Sequence, residues 1–309
     1  MPQLKEIASG LRFPEGPVAM ADGSVLVVEI AAGRLTRVKP NGAKEVVAET
    51  GGGPNGAALG PDGKVYICNN GGFRLAADGT PLEGLPDGYT GGCIQRVDLS
   101  NGKVEVLYTE CNGHRLRGPN DLVFDGNGGF WFTDFGKLLE RQRDRTAIYY
   151  AKADGSLIRE VIFPIDGPNG IGLAPGDTRV YVAQTFEGRV WQFDIARPGE
   201  LAPTGEHGGL LGGPKGGKLL VGLPGYQLLD SLAVDGAGNV CVATLVNGGI
   251  TVISPDGSSV EHVPTGDPLT TNICFGGPDL RTAYITLTGQ GKLAAMEWPR
   301  PGLKLHYSA

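Results

Sequence analysis

The chain has 309 residues, with 52 glycines, 22 prolines and a formal net charge of -6. That length can bury a large core, and the glycine and proline content predicts many turns and excludes long helices. No basic tail or stripe and no apolar run of membrane-span length occurs, which argues against nucleic acid and membrane as partners.

The first ten residues, "MPQLKEIASG", lack the apolar stretch of a signal peptide. Cys68, Cys93, Cys111, Cys241 and Cys274 are scattered, with neither metal-site nor redox spacing. Together these features predict a cytoplasmic protein with free thiols, three of them (Cys68, Cys241, Cys274) inside apolar strands.

In chain order, the first element is strand-like, "QLKEIAS" at Gln3–Ser9. A unit then begins at Glu15 as "EGPVAMADGSVLVVE". It recurs at Asn55 ("NGAALGPDGKVYICN"), at Asn120 ("NDLVFDGNGGFWFTD") and at Asp230 ("DSLAVDGAGNVCVAT") without a gap. With one inserted residue it recurs at Asn169 ("NGIGLAPGDTRVYVAQ") and Asn272 ("NICFGGPDLRTAYITL"). Each copy is two apolar runs joined by Asp/Gly-rich residues, which predicts a β-hairpin. A third strand follows most copies ("GRLTRVKPNG", "CIQRVDLSNG", "GITVISPDG"), and a fourth appears as "AKEVVAE", "KVEVLYTE" and "LIREVIF". Four strands repeated six times predict an all-β protein, one six-bladed β-propeller over residues 1–309. Either "QLKEIAS" or the C-terminal "LKLHYS" can supply the strand that closes the ring.

In a propeller the first residue of each inner strand lies at one mouth of the axial channel. That ring would hold Glu15, Asn55, Asn120, Asn169, Asp230 and Asn272, all oxygen-bearing and none basic. A second tier is expected at the ends of the returning strands: Glu29, Asn69, Asp134, Gln184 and Thr244. Carboxylate and amide oxygens without His or Cys suit a hard divalent cation, calcium first, with magnesium, manganese, zinc and iron as alternatives. Without one, Glu15 and Asp230 would repel each other in a poorly solvated channel. Asn55 and Asn272 fit a local turn hydrogen bond equally well.

At these residues the sequence resembles the family of senescence marker protein 30, gluconolactonases and the lactonase drp35. The likeness runs the length of the chain. It is most specific in "FPEGP" (Phe13–Pro17), "RGPNDLVFDGNGGFWFTDFG" (Arg117–Gly136), "GPNGIGL" (Gly167–Leu173) and "LLDSLAVD" (Leu228–Asp235). The resemblance implies a divalent cation on Glu15, Asn169 and Asp230, with Asn120 as a further ligand or a substrate contact. It casts Asp230 as catalytic acid/base, and in some members the next residue, here Ser231, is also used. The expected reaction opens a lactone ring, with Asp134 tuning or positioning the set. The expected partner is a small-molecule lactone.

Three long loops, roughly Asn70–Gly92, Gly136–Thr146 and Leu201–Gln227, are expected over this mouth. They and their neighbours carry Phe73, Arg74, Tyr89, Arg117, Phe186 and Tyr226, and Arg and Tyr there suit a hydroxylated or acidic substrate. Two other readings use the same ring: a phosphotriesterase or aryl esterase, and a calcium-binding propeller without turnover. None of His114, His207, His262 and His306 falls at a ring position, so a histidine dyad there is not supported.

Overall fold

The computed structural model describes residues 3–76, 81–203 and 213–308. Helix among them is limited to two single turns, Ile30–Ala32 and Pro175–Asp177. Most of the strands form six antiparallel sheets of the propeller type, and three two-stranded ribbons stand apart from them. The inner strands are Pro14–Ala19, Pro54–Leu59, Pro119–Phe124, Pro168–Leu173, Leu228–Val234 and Thr270–Gly276. Each touches the inner strand of the next blade, and the sixth returns to the first.

The second strand of each blade explains the continuous apolar runs. In Gly129–Asp134, Phe130 and Phe132 pack toward blade 2, while Trp131 between them packs toward blade 4. A strand buried on both faces cannot alternate with polar residues. Six apolar clusters result, one at each blade interface. Three of the five free cysteines (Cys68, Cys111 and Cys241) are buried, while Cys93 and Cys274 are partly so.

The first described strand, Lys5–Ala8, pairs with Lys292–Glu297 and completes blade 6, so the N-terminal candidate closes the ring. The C-terminal segment instead runs beneath the ring, at the hairpin end of the inner strands. Arg300 Nε meets Asp235 at 2.6 Å, Leu303 N donates to Val234 O, and the Tyr307 ring meets Phe124 edge-on at 5.6 Å. It caps a channel cavity of about 120 Å³.

Candidate functional site

Every inner strand carries a β-bulge at its mouth end. In blade 1 Glu15 pairs with Val28, but the next pair is Val18 with Leu26, one residue out of step. The same slip occurs in the other five blades. A bulge unpairs one residue and re-aims its side chain. The residue after the ring position packs closely on the next blade. A Cβ on Gly56 would lie 2.6 Å from Asn120 O, and one on Gly170 would lie 2.6 Å from Leu232 N. Glycine in "PNG" therefore allows neighbouring inner strands to approach.

All six ring residues are buried. Asn55, Asn120 and Asn169 each have a buried Oδ1 with no hydrogen-bond donor. Asn169 is held by its other end, Nδ2 donating to Thr185 Oγ1 at 3.1 Å. Asn272 differs, because Nδ2 donates to Glu15 Oε2 and Oδ1 accepts the Ile273 amide, both at 2.8 Å. Asn272 is therefore satisfied within the protein.

Burial raises the Glu15 carboxyl to about 7, against the pull of Asn272, the Gly16 amide and Thr271. Burial and then the Glu15 charge push Asp230 well above the carboxylate range. Asp121 is raised to about 7 by burial and by Glu15. Three desolvated acids thus share one channel with three amide oxygens that lack donors. An unpaired buried acceptor is costly, and a hard cation satisfies both kinds of oxygen at once. Among the described residues no group of three His, Cys, Asp or Glu is spaced to hold a metal ion, so the donor set that fits a cation here is mixed carboxylate and amide.

The expected second tier does not face the mouth as free oxygen. Asp134 accepts the amides of Arg117, Gly118 and Gly136 at 2.7, 2.7 and 2.9 Å. Glu29 accepts Arg12 N at 2.7 Å, with Arg34 and Thr36 on its other oxygen. Asn69 accepts Gly53 N at 2.9 Å, and Gln184 Nε2 donates to Asp166 O at 2.8 Å. In blades 1 to 4 these side chains tie down the turn that precedes their own ring residue. The physical reason is supply: that turn has unpaired backbone groups beside the strand end, and a buried carboxylate or amide satisfies them. Thr244 bonds Thr251 instead, at 2.9 Å.

Ser231 is fully buried beside Asp121, and its hydroxyl lacks a well-aligned partner. Arg117 Nε pairs with Asp144 at 2.8 Å, and the guanidinium lies over the Tyr89 ring. Tyr226 is 77% exposed and makes no side-chain hydrogen bond among the described residues. Parts of the first and third long loops, residues 77–80 and 204–212, and with them His207, lie outside the described residues. His114 is exposed in a two-residue pairing with Glu110–Cys111.

Two residues escaped the sequence reading. Asp121 breaks the Pro-Asn-Gly pattern at the position where Gly56 and Gly170 sit, and that break was the available signal. Lys137 is buried, with Nζ donating to Gly72 O at 2.7 Å and lying about 5 Å over the rings of Phe73 and Tyr89. Burial lowers its pKa to about 8. Nothing in its local sequence signals this.

Residues 13–289 match the family model described as SMP-30/Gluconolactonase/LRE-like region. The gluconolactonase of Zymomonas mobilis is 27% identical over 298 residues, covering 88% of this chain and 76% of that protein. Lactonase drp35 of Staphylococcus haemolyticus is 25% identical over 264 residues, covering 85% and 72%. The solved structure of a calcium-binding protein, regucalcin, from Agrobacterium tumefaciens shares the fold, with a TM-score of 0.72 over 98% of each chain at 19% identity. With the family model spanning nearly the whole propeller, the chain belongs to the SMP-30/Gluconolactonase/LRE-like family.

Proposed function

We propose that this protein hydrolyses a lactone, using a divalent cation held by Glu15, Asn120, Asn169 and Asp230. The observation that carries the reading is the group of donor-less amide oxygens beside desolvated carboxylates at the channel mouth. The relatives named gluconolactonase and lactonase support the reaction class. The calcium-binding neighbour supports calcium as first choice, ahead of magnesium, manganese, zinc and iron.

When bound, such a cation supplies a Lewis acid for an ester carbonyl and a counter-charge for the two carboxylates. Asp230 acts as the base. Without a cation, burial and then the Glu15 charge raise its proton affinity, and the Ser231 amide holds one of its oxygens at 3.1 Å. It takes a proton from the attacking water and returns it to the departing ring alkoxide. The Asn120 side-chain amide donates to the carbonyl oxygen as charge develops there. Asp134 contributes indirectly, by holding the turn that delivers Asn120.

A pH-indicator screen of lactones, aryl esters and phosphotriesters against added cations tests this. Cation-dependent lactone opening is expected. Turnover that survives verified cation removal, or an active Asp230→Ala variant, would overturn it. Turnover of phosphotriesters or aryl esters alone would move the site to that chemistry, and cation binding without turnover would leave a calcium-binding propeller.

A further inference from the structure

Among the described residues, blade 5 has no brace of the kind found in blades 1 to 4. In those four blades the side chain ending the second strand ties down the turn before its own ring residue. In blade 5 that place is Thr244, whose hydroxyl is spent on Thr251 at 2.9 Å. The turn that delivers Asp230 is held from the neighbouring blade instead. Leu229 N, one residue before Asp230, donates to Thr185 O of blade 4 at 3.3 Å.

Thr185 also serves Asn169. Its amide donates to Gly167 O at 3.1 Å, in the turn before Asn169. Its side chain is buried, and Oγ1 accepts from Asn169 Nδ2 at 3.1 Å. One residue therefore touches the supports of two adjacent ring positions. The inner strands of the two blades are close-packed there, since a Cβ on Gly170 would lie 2.7 Å from Asp230 O.

Which end of the Asn169 amide faces the channel is a matter of partners. Only the oxygen of a carboxamide can serve a cation, and the nitrogen only donates. Burial and the Glu15 charge raise the Asp230 pKa, and a hydrogen bond from the Asn169 side chain lowers it. An ionised carboxylate only accepts, so the amide offers it Nδ2. Thr185 Oγ1 accepts from the same nitrogen. Among the described residues Oδ1 is left buried with no donor. Without the Thr185 hydroxyl a buried N–H loses its acceptor, and with it the contact that sets the rotation of the amide.

We propose that Thr185 is a positioning residue for the cation site. Its hydroxyl holds Asn169 with Oδ1 free for the cation, and its carbonyl holds the turn that carries Asp230. Blade 4 thereby sets the spacing of two ligands. This rests on the cation-dependent reading above.

The test compares Thr185→Val, which keeps the shape and removes the hydroxyl, with Thr185→Ser, which keeps the hydroxyl. The probe is calcium, or the first of magnesium, manganese, zinc and iron that wild type binds. Its Kd is read by calorimetry on metal-free protein, at a temperature where thermal melts show each variant folded. Thr185→Val is expected to bind about tenfold more weakly, the size of one lost hydrogen bond. Thr185→Ser should stay within about twofold of wild type. Thr251→Val removes a buried hydroxyl that bonds Thr244 and His262 and no ring residue, so its Kd should match wild type. A purely structural role for Thr185 would lower the melting temperature of Thr185→Val and leave Kd unmoved, and that result overturns the proposal alone. Thr185→Ser or Thr251→Val binding as weakly as Thr185→Val also overturns it. If Thr185→Val does not fold, Thr185→Ala takes its place in the same comparison. A wild type that binds none of these cations fells the cation reading and this proposal together.

Discussion

The Asn272 side-chain amide donates to Glu15 Oε2 at 2.8 Å, although 257 residues separate the two in the chain. The bond crosses the seam where blade 6 meets blade 1. Thr288 Oγ1 reinforces it by donating to Pro14 O at 2.8 Å. Asn272→Ala leaves Glu15 with the Gly16 amide and loses the seam bond. The expected cost is about 1–3 kcal/mol, because a buried acid loses a donor. Urea melts in the presence of chelator measure it, and a variant as stable as wild type would remove the seam bond from the account.

A cation that binds only the folded ring must raise stability by mass action. At a hundredfold excess over Kd the gain is about 2.7 kcal/mol. Calcium titration followed by thermal melting should show a concentration-dependent rise in Tm. Glu15→Gln and Asn169→Ala should flatten that response. A wild-type Tm indifferent to every divalent cation would count against the ring as a metal site.

Asp134 and Asp230 are both buried acids, yet their removal should have opposite signatures. Asp134 accepts three backbone amides, so Asp134→Ala is expected to cost about 2–3 kcal/mol. Asp230 accepts one amide and suffers from Glu15 and Asp121. In chelator, Asp230→Asn should be at least as stable as wild type while losing all hydrolysis. Equal destabilisation of both variants would contradict the division into brace and reacting group.

Lys137 gives a pH test. Its folded pKa is about 8, below the ordinary lysine value of 10.5. Between those limits the unfolded chain holds a proton that the folded chain has released, so stability rises with pH across that window. Below pH 8 both states are protonated, and the buried charge costs its full amount. Wild type should therefore gain about 3 kcal/mol relative to Lys137→Met between pH 7 and pH 10.5. The stability difference between the two proteins should shift by that amount across the window, whatever its starting value. Urea midpoints of both proteins between pH 7 and 10.5 check this, and a constant gap would sink it.

The hairpin units were legible because Asp/Gly turns and apolar runs are local features that recur at equivalent places. The first ring was legible for the same reason, since a repeat maps one position onto six. The direction of Glu29, Asn69, Asp134 and Gln184 was not. It depends on a bulge that shifts pairing by one residue, and an ungapped alignment of strands cannot show which residue is left unpaired. The strand closing blade 6 was also undecided, because "QLKEIAS" and "LKLHYS" carry similar local patterns. Pairing with Lys292–Glu297 settled it.

What the sequence by itself determined was the inventory: six hairpins and an oxygen-bearing residue at the head of each. Local propensity and repetition suffice for that. Only the tertiary structure decided which oxygens are free. Asn55, Asn120 and Asn169 keep an unpaired oxygen, Asn272 is used by Glu15, and Asp121 joins the channel. The Asn272–Glu15 bond joins residues brought together from the sixth and first blades, and no single stretch of chain contains both partners.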